Sequence, residues 1–165
     1  MTDDKLKKIL VAVDGSEYSV TAVRYAGAML NPKTTEVVLF HALRKIDDAF
    51  WSIGMKRAFL DRISDIKAWE AAEDEAMKKT VHKSRQILID MGYPEGAATE
   101  VIHRCEKGVA RDILRESKSG YDAVFLGRKG ISAVKDLVMG GTAQKLVERT
   151  THVATCVVGK GAGPG

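Results

Sequence analysis

Glycines and cations in the last third of the chain have the types and spacing to bind a phosphate group. Gly127-Arg128-Lys129-Gly130 sets two cations between two glycines, and after nine residues Gly140-Gly141-Thr142 follows. Glycines let backbone N–H groups approach a ligand closely, and a helix that begins at the second glycine pair adds unsatisfied donors and a positive dipole end. A simple turn followed by a helix start would also use these glycines. The cations and the second glycine pair favour an anion site, with phosphate as its natural ligand.

The flanking residues place this loop between a strand and a helix. An apolar run at 123–126 predicts a buried strand that ends at Gly127, and Ala143, Leu146 and Val147 follow at helical spacing. The segment contains neither the P-loop pattern Gly-x-x-x-x-Gly-Lys-Ser/Thr nor the pattern Gly-x-Gly-x-x-Gly, so neither standard fingerprint applies.

Strands and helices alternate along the rest of the chain, which predicts an α/β fold with a mainly parallel sheet. Apolar runs predict strands at 8–14, 36–42, 98–104, 123–126 and 153–158. Helical spacing predicts a first helix that is capped by Ser16 and stopped by Asn31-Pro32, a long helix at 65–91 that includes Trp69 on its inward stripe, and a short helix that begins at 108.

Residues 44–64 are the least regular part of the chain, because aromatic and aliphatic side chains are interleaved with cations there. The segment could be a short amphipathic helix, a lid over a site or a surface for a partner. We favour a packed excursion that covers one face of the sheet.

In an open α/β sheet, ligands bind outside the carboxyl ends of the strands. Asp14 ends the first predicted strand, Ala42 ends the second, and Leu126-Gly127 ends the fourth. If the first and fourth strands are neighbours, Asp14 faces the glycine loop, where its carboxylate can accept from a ribose hydroxyl or a base amino group. The same residue could instead be an acid favoured by the dipole of the following helix. Together with the loop, it favours a nucleotide.

Length and composition predict one domain of 165 residues, with 1–160 as its body and 161–165 as a flexible glycine-rich tail. The net charge is +4 with scattered cations, and no apolar run is long enough for a membrane span. We therefore expect neither a nucleic-acid nor a membrane partner. The first residues lack the apolar core of a signal peptide, which favours the cytoplasm.

The chain resembles a known protein family in its opening strand and in its glycine loop. Ile-Leu-Val-Ala-Val-Asp-Gly-Ser at 9–16 is similar to the opening strand of the universal stress protein family. Gly127-x-x-Gly130, nine residues and Gly140 resemble the ATP-binding motif of that family, Gly-2x-Gly-9x-Gly-(Ser/Thr). The similarity runs from Lys8 to Val158.

The resemblance implies a single five-stranded parallel sheet of order 3-2-1-4-5 with helices on both faces, a Rossmann-like fold related to the adenine nucleotide α-hydrolases. It also implies a homodimer through the last strand, 153–158, and a bound adenine nucleotide, ATP or else AMP or ADP, with or without Mg²⁺. The protein partner stays unknown. The positions that it assigns to nucleotide binding are Ala12, Val13, Asp14, Ala42, Leu126, Gly127, Lys129, Gly130, Gly140, Gly141 and Thr142.

Two positions depart from the family pattern. The Ser or Thr expected after Gly140 is Gly141, with Thr142 one residue late, so a hydroxyl group that should meet a phosphate or a metal is missing or shifted. Ala42 is smaller than the usual valine, which loosens the predicted base pocket.

The sequence indicates no dedicated catalytic base and no metal-ligand spacing. His41 is the nearest candidate base, and its place in a strand favours a structural role. We therefore predict no catalytic residue and no protein metal site, and a nucleotide-binding regulator with slow hydrolysis at most. A true ATPase, and a dimeric interaction protein whose site is degenerate because of Gly141, stay open as alternatives.

Overall fold

The structure, a computed structural model, describes residues 6–44, 60–131, 133–136 and 138–163, with side chains omitted at 60–64. In chain order the elements are β1 (Lys7–Ala12), α1 (Glu17–Met29), β2 (Thr35–Leu43), α2 (Leu60–Asp90), a 3-10 turn (Glu95–Ala97), β3 (Ala98–Arg104), α3 (Val109–Glu116), β4 (Ala123–Gly127), α4 (Gly141–Arg149) and β5 (Ala154–Val158).

The five strands form one sheet of order β3-β2-β1-β4-β5, and every neighbouring pair is parallel. This confirms the predicted fold class. The strand β1 lies between β2 and β4, with Ile9 opposite Val37 on one side and Ala123 on the other. Its predicted contact with the fourth strand is therefore present.

The continuous apolar runs of the inner strands follow from burial on both faces of the sheet. Ile9 packs in a cluster with Val23 of α1 and Leu88 of α2. The next residue, Leu10, packs in a second cluster with side chains of α3 and α4. Successive side chains of a strand point to opposite faces, so α1 and α2 cover one face and α3 and α4 cover the other.

The start of α1 follows its prediction. Ser16 is the N-cap, and its hydroxyl oxygen accepts a hydrogen bond from the Ser19 amide at 3.1 Å. Such a cap satisfies one of the amide donors that a helix leaves unpaired at its start. The helix ends at Met29, just before Asn31-Pro32.

The helix α2 begins at Leu60, five residues earlier than predicted; residues 45–59 of the predicted irregular segment lie outside the described residues. Trp69, which was predicted to face inward, is 55% exposed. At 31 residues α2 is about 46 Å long, whereas the nine-residue β2 spans about 30 Å. The helix is longer than the sheet it covers, so its first turns have less surface to pack against than Val81 and Leu88, which are fully buried.

The segment after β5 runs back towards α1. The Lys160 ammonium lies 3.1 Å from the Glu17 carboxylate, and Ala162 packs against the α1–α2 side of the core. Residues 164 and 165 of the predicted tail lie outside the described ranges. No helix in those ranges is both long and apolar enough to cross a membrane.

Gly127, at the end of β4, allows the closest approach between the sheet and α1. A Cβ atom at this position would lie 2.6 Å from the Tyr18 carbonyl carbon and 2.8 Å from its oxygen. These are backbone atoms of a helix, so they cannot move aside without moving α1.

We therefore expect Gly127→Ala to lower the free energy of unfolding by about 1–3 kcal/mol, the usual effect of overpacking. Chemical denaturation measures it. The control is Gly141→Ala at the start of α4, where a Cβ atom would meet nothing within 4 Å; it should be neutral or stabilising by up to about 1 kcal/mol. Equal destabilisation by the two substitutions would contradict the packing argument.

Candidate functional site

A cavity of about 410 Å³ lies at the carboxyl ends of β1, β2 and β4. This is where an open parallel sheet places its ligand sites. The cavity brings together every residue that the sequence assigned to nucleotide binding, namely Ala12, Val13, Asp14, Ala42, Leu126, Gly127, Lys129, Gly130, Gly140, Gly141 and Thr142.

Asp14 joins the end of β1 to the glycine loop across this cavity. Its Oδ1 accepts from both the amide and the hydroxyl of Ser16, at 3.0 and 2.6 Å, and its Oδ2 accepts from the Ile131 amide at 2.8 Å. Asp14 therefore faces the loop, as predicted, and it also supports the start of α1. A carboxylate has about four acceptor sites, so about one is left for a ligand donor.

The glycine loop is folded so that its two halves touch. The Gly140 amide donates to the Arg128 carbonyl at 2.8 Å, and a Cβ atom on Gly140 would lie 3.3 Å from the Gly130 nitrogen. A Cβ atom on Gly130 would lie 2.7 Å from the Asp14 carboxylate. Both glycines are thus favoured by close approach of protein atoms, more so Gly130 than Gly140, and their lack of side chains also exposes backbone to the cavity.

The start of α4 forms the polar end of the cavity. Gly140 is its N-cap and Gly141 its first residue, and the cap makes no side-chain hydrogen bond. The first amides of a helix have no partner within the helix, and the dipole favours negative charge there. Lys129 lines the same end, with its ammonium 3.2 Å from the Lys135 carbonyl and donors to spare. This end of the cavity is suited to an anion.

Gly127 lines the cavity, but its contact with Tyr18 gives it a packing role as well. The spacing of the motif does not indicate which neighbouring residue requires a glycine at position 127. That neighbour is the backbone of α1 at Tyr18, which is distant from the loop in sequence.

His41 is buried at the end of β2, with 8% of its surface exposed. Its Nδ1 lies 2.6 Å from the Val13 carbonyl, which can only accept, so Nδ1 carries the proton. Burial lowers the pKa of His41 below its usual value, and the hydrogen bond to Val13 opposes only part of that effect. The ring is neutral near pH 7 and fixes the end of β1 to β2. This fits the structural role favoured from the sequence.

The helix α2 closes one side of the cavity, a contribution that the sequence analysis did not assign. Glu73, Asp74 and Met77 line the cavity from this helix, and the Asp74 carboxylate lies 3.3 Å from the Arg104 guanidinium. Glu73 and Met77 are on the predicted inward stripe of the helix, so the sequence pattern indicated that they face the protein. The pattern did not indicate which part of the sheet the stripe would contact.

The cavity therefore has an apolar wall, carboxylates on one side and backbone donors with a lysine at the glycine loop. This arrangement fits a nucleoside phosphate, with its base against apolar side chains and its phosphate groups at the start of α4. Within the described ranges, the cavity included, no group of three or more His, Cys, Asp or Glu residues could hold a metal ion.

Comparison with known proteins gives a consistent result. The sequence model of the universal stress protein family matches residues 5–157. The universal stress protein YxiE of Bacillus subtilis is 26% identical over 162 residues, which cover 92% of this chain and 95% of that protein.

Two solved structures share the fold. Universal stress protein UspA from Lactobacillus plantarum superimposes with a TM-score of 0.66 at 18% identity, covering 93% of this chain and 98% of that one. A universal stress protein in complex with cAMP superimposes with a TM-score of 0.58 at 14% identity, covering 94% and 98%.

The buried His41 predicts a pH dependence of stability. Its folded pKa is lowered, so the unfolded chain, with a usual pKa of about 6.5, takes up a proton first as the pH falls. The contribution to stability is complete above about pH 6.5 and is lost as the pH falls towards the folded pKa, with a slope of up to about 1.4 kcal/mol per pH unit.

We expect the free energy of unfolding of the wild type to fall more steeply below pH 6.5 than that of His41→Gln. Denaturant titrations of both proteins between pH 7.5 and 5 measure the two slopes. Because all other groups are shared, the difference reports on His41. Parallel curves would contradict the assignment.

Proposed function

The chain belongs to the universal stress protein family, and we propose that it binds an adenine nucleotide, ATP or else ADP or AMP, as a regulator in the stress response. The observation that carries this proposal is the junction of Asp14 with the glycine loop beside the uncapped start of α4. At that junction a carboxylate acceptor lies in the same cavity as backbone amides that can donate hydrogen bonds to a phosphate group.

The base lies against the apolar side chains of Val13, which follows β1, Ala42 of β2 and Met77 of α2. The remaining acceptor site of Asp14 takes a ribose hydroxyl or a base amino group. The phosphates lie at the amides of Gly141 and Thr142, with Mg²⁺, when present, held by the phosphate oxygens. The fold neighbour that is in complex with cAMP supports the choice of an adenine nucleotide.

The hydrogen bonds of the titratable groups in the cavity favour a regulatory role over ATP hydrolysis. Phosphoryl transfer needs a group that positions the attacking nucleophile. The Asp14 carboxylate accepts from Ser16 and Ile131, the His41 ring donates to Val13, and Asp74 pairs with Arg104. These three groups are engaged in holding the fold, and the other carboxylate that lines the cavity, Glu73, is exposed on α2, so we propose slow hydrolysis at most.

A homodimer through β5 is part of the same proposal. In the described sheet β5 is an edge strand that pairs only with β4. One side of its backbone is therefore available for a second copy of the chain. A cytoplasmic location stays a prediction from the sequence.

A second candidate function is an interaction protein that binds no nucleotide. Gly141 favours it, because the family pattern has a hydroxyl-bearing residue at this position. The next experiments separate the two functions.

Thermal unfolding with millimolar ATP and Mg²⁺ tests nucleotide binding. At about 100 times its dissociation constant a ligand adds about 2.7 kcal/mol, which should raise the Tm of the wild type by about 5–10 °C. Gly130→Val should lose this shift, since its Cβ would collide with the Asp14 carboxylate and displace the loop. The control is Gly96→Val, where a Cβ meets nothing within 4 Å, and it should keep the shift. No shift in any of the proteins would favour the interaction protein.

Restoring the missing hydroxyl group tests where the phosphates lie. A side chain at Gly141 has open space, so Gly141→Ser can be made without a clash. One added hydrogen bond to a charged phosphate is worth about 1.5 kcal/mol, which should tighten the Kd for ATP about tenfold by calorimetry. Gly141→Ala adds the same Cβ without the hydroxyl and should leave the Kd within about twofold. An equal Kd for the serine variant and the wild type would place the phosphates elsewhere.

A further inference from the structure

A second cleft, of about 780 Å³, lies beside the nucleotide cavity, between the start of α3 and one side of α4. Basic side chains dominate it. Those that line it are Arg44, Lys107, Arg111, Lys145 and Arg149. We call it the basic cleft. Nothing in the sequence motifs accounts for it, because its cations come from three separate parts of the chain.

The cations of the basic cleft come from both of its sides. Lys145 and Arg149 are four residues apart on α4, so they lie on the same side of that helix. Arg111 lies in the first turn of α3, and Lys107 lies in the segment just before that helix. All four residues line one shared space.

These four cations have no acidic partner within the described residues. The carboxylate that lines the cleft, Glu106, lies 2.7 Å from the Arg115 guanidinium, which draws it away from them. Asp112, in the first turn of α3, is 2% exposed and lies 3.5 Å from the same guanidinium. Like charges held in one cleft repel each other, so an anion bound among them is stabilised.

Backbone donors reinforce the positive charge. The N-cap of α3 is Gly108, which makes no side-chain hydrogen bond, and residues 108–111 line the cleft. The first amides of α3 thus lie in its wall, where the helix dipole adds to the field of the side chains.

The basic cleft adjoins the nucleotide cavity. Arg44, Val109 and Thr142 line both spaces. Thr142 is in the first turn of α4, where the proposed phosphates lie. A ligand that places phosphate groups at the start of α4 therefore lies next to the basic cleft.

From this arrangement we propose that the basic cleft binds a linear chain of phosphate groups, either as a free condensed phosphate or as the tail of a nucleotide seated in the cavity. The second source rests on the proposed function, whereas the first is independent of it. A phosphate chain carries about one charge per phosphate group in a narrow, flexible strip. This matches cations on α4, on α3 and just before α3, together with amides at a helix start, all of which bind phosphate oxygens well.

Calorimetry at low salt with three ligands tests the proposal: inorganic tripolyphosphate, ATP and adenosine 5′-tetraphosphate. The cleft variant carries Arg111→Gln and Lys145→Gln, both at exposed positions. The control variant carries Lys79→Gln and Lys83→Gln, which removes the same charge from two exposed positions on α2, away from the cleft. Circular dichroism checks that each variant is folded.

If the ligand is a free phosphate chain, we expect tripolyphosphate to bind the wild type and the control variant with the same affinity. We expect it to bind the cleft variant at least tenfold more weakly. A nucleotide tail as ligand predicts that adenosine tetraphosphate binds the wild type at least fivefold more tightly than ATP does, and that the cleft variant loses this preference. Tripolyphosphate binding that depends on the cleft, without any ATP binding, would refute the proposed function and leave this inference standing.

Three results would overturn it. The first is that the cleft variant and the wild type bind tripolyphosphate with equal affinity and also show the same preference for adenosine tetraphosphate over ATP. The control variant loses as much affinity as the cleft variant, which would mean that only the overall charge of +4 matters. Or a hexaglutamate peptide binds as tightly as tripolyphosphate with the same dependence on Arg111 and Lys145, which would assign the cleft to acidic protein segments.

Discussion

The Asp14 carboxylate accepts hydrogen bonds from Ser16, which caps α1, and from Ile131, which lies within the glycine loop. It thereby ties together the end of β1, the helix that covers one face of the sheet and the loop that follows β4. The loop can approach this closely because Gly130 has no Cβ to fill the space beside the carboxylate. The shape of the cavity depends on this junction, because it holds the loop against the start of α1.

Burial of the sheet explains why the site lies where it does. Both faces of β1 are covered, so the apolar residues Ile9 to Val11 are used for packing, and Asp14 follows just after the strand ends. Near the end of β2, the buried His41 ring donates to the Val13 carbonyl. The cavity lies at this edge of the core, and core residues such as Val13, Ala42 and Leu126 form part of its wall. Its groups therefore serve the fold as well as the proposed ligand.

Charge is divided between two adjoining spaces. Carboxylates from α2 and from Asp14, just after β1, line the nucleotide cavity, whereas most of the charged residues that line the basic cleft are cations, among them Arg111 of α3 and Lys145 of α4. The starts of two helices, α3 and α4, open towards these spaces without side-chain caps. Capped helices satisfy their own donors, and α1, which is capped by Ser16, takes no comparable part. The absence of caps at α3 and α4 leaves backbone donors for anions.

The sequence by itself determined the strands, the cap of α1, the glycine loop and its contact with Asp14, because each depends on local periodicity or on the ends of neighbouring parallel strands. It also indicated the inward stripe of α2, through Glu73 and Met77, but not the wall that this stripe forms. Only the tertiary structure decided that Trp69 is exposed, that Gly127 packs on Tyr18 and that Arg111 and Lys145 share one cleft. These are contacts between residues far apart in the chain. They are set by helix length and by the packing of helices on the sheet, which no local pattern encodes.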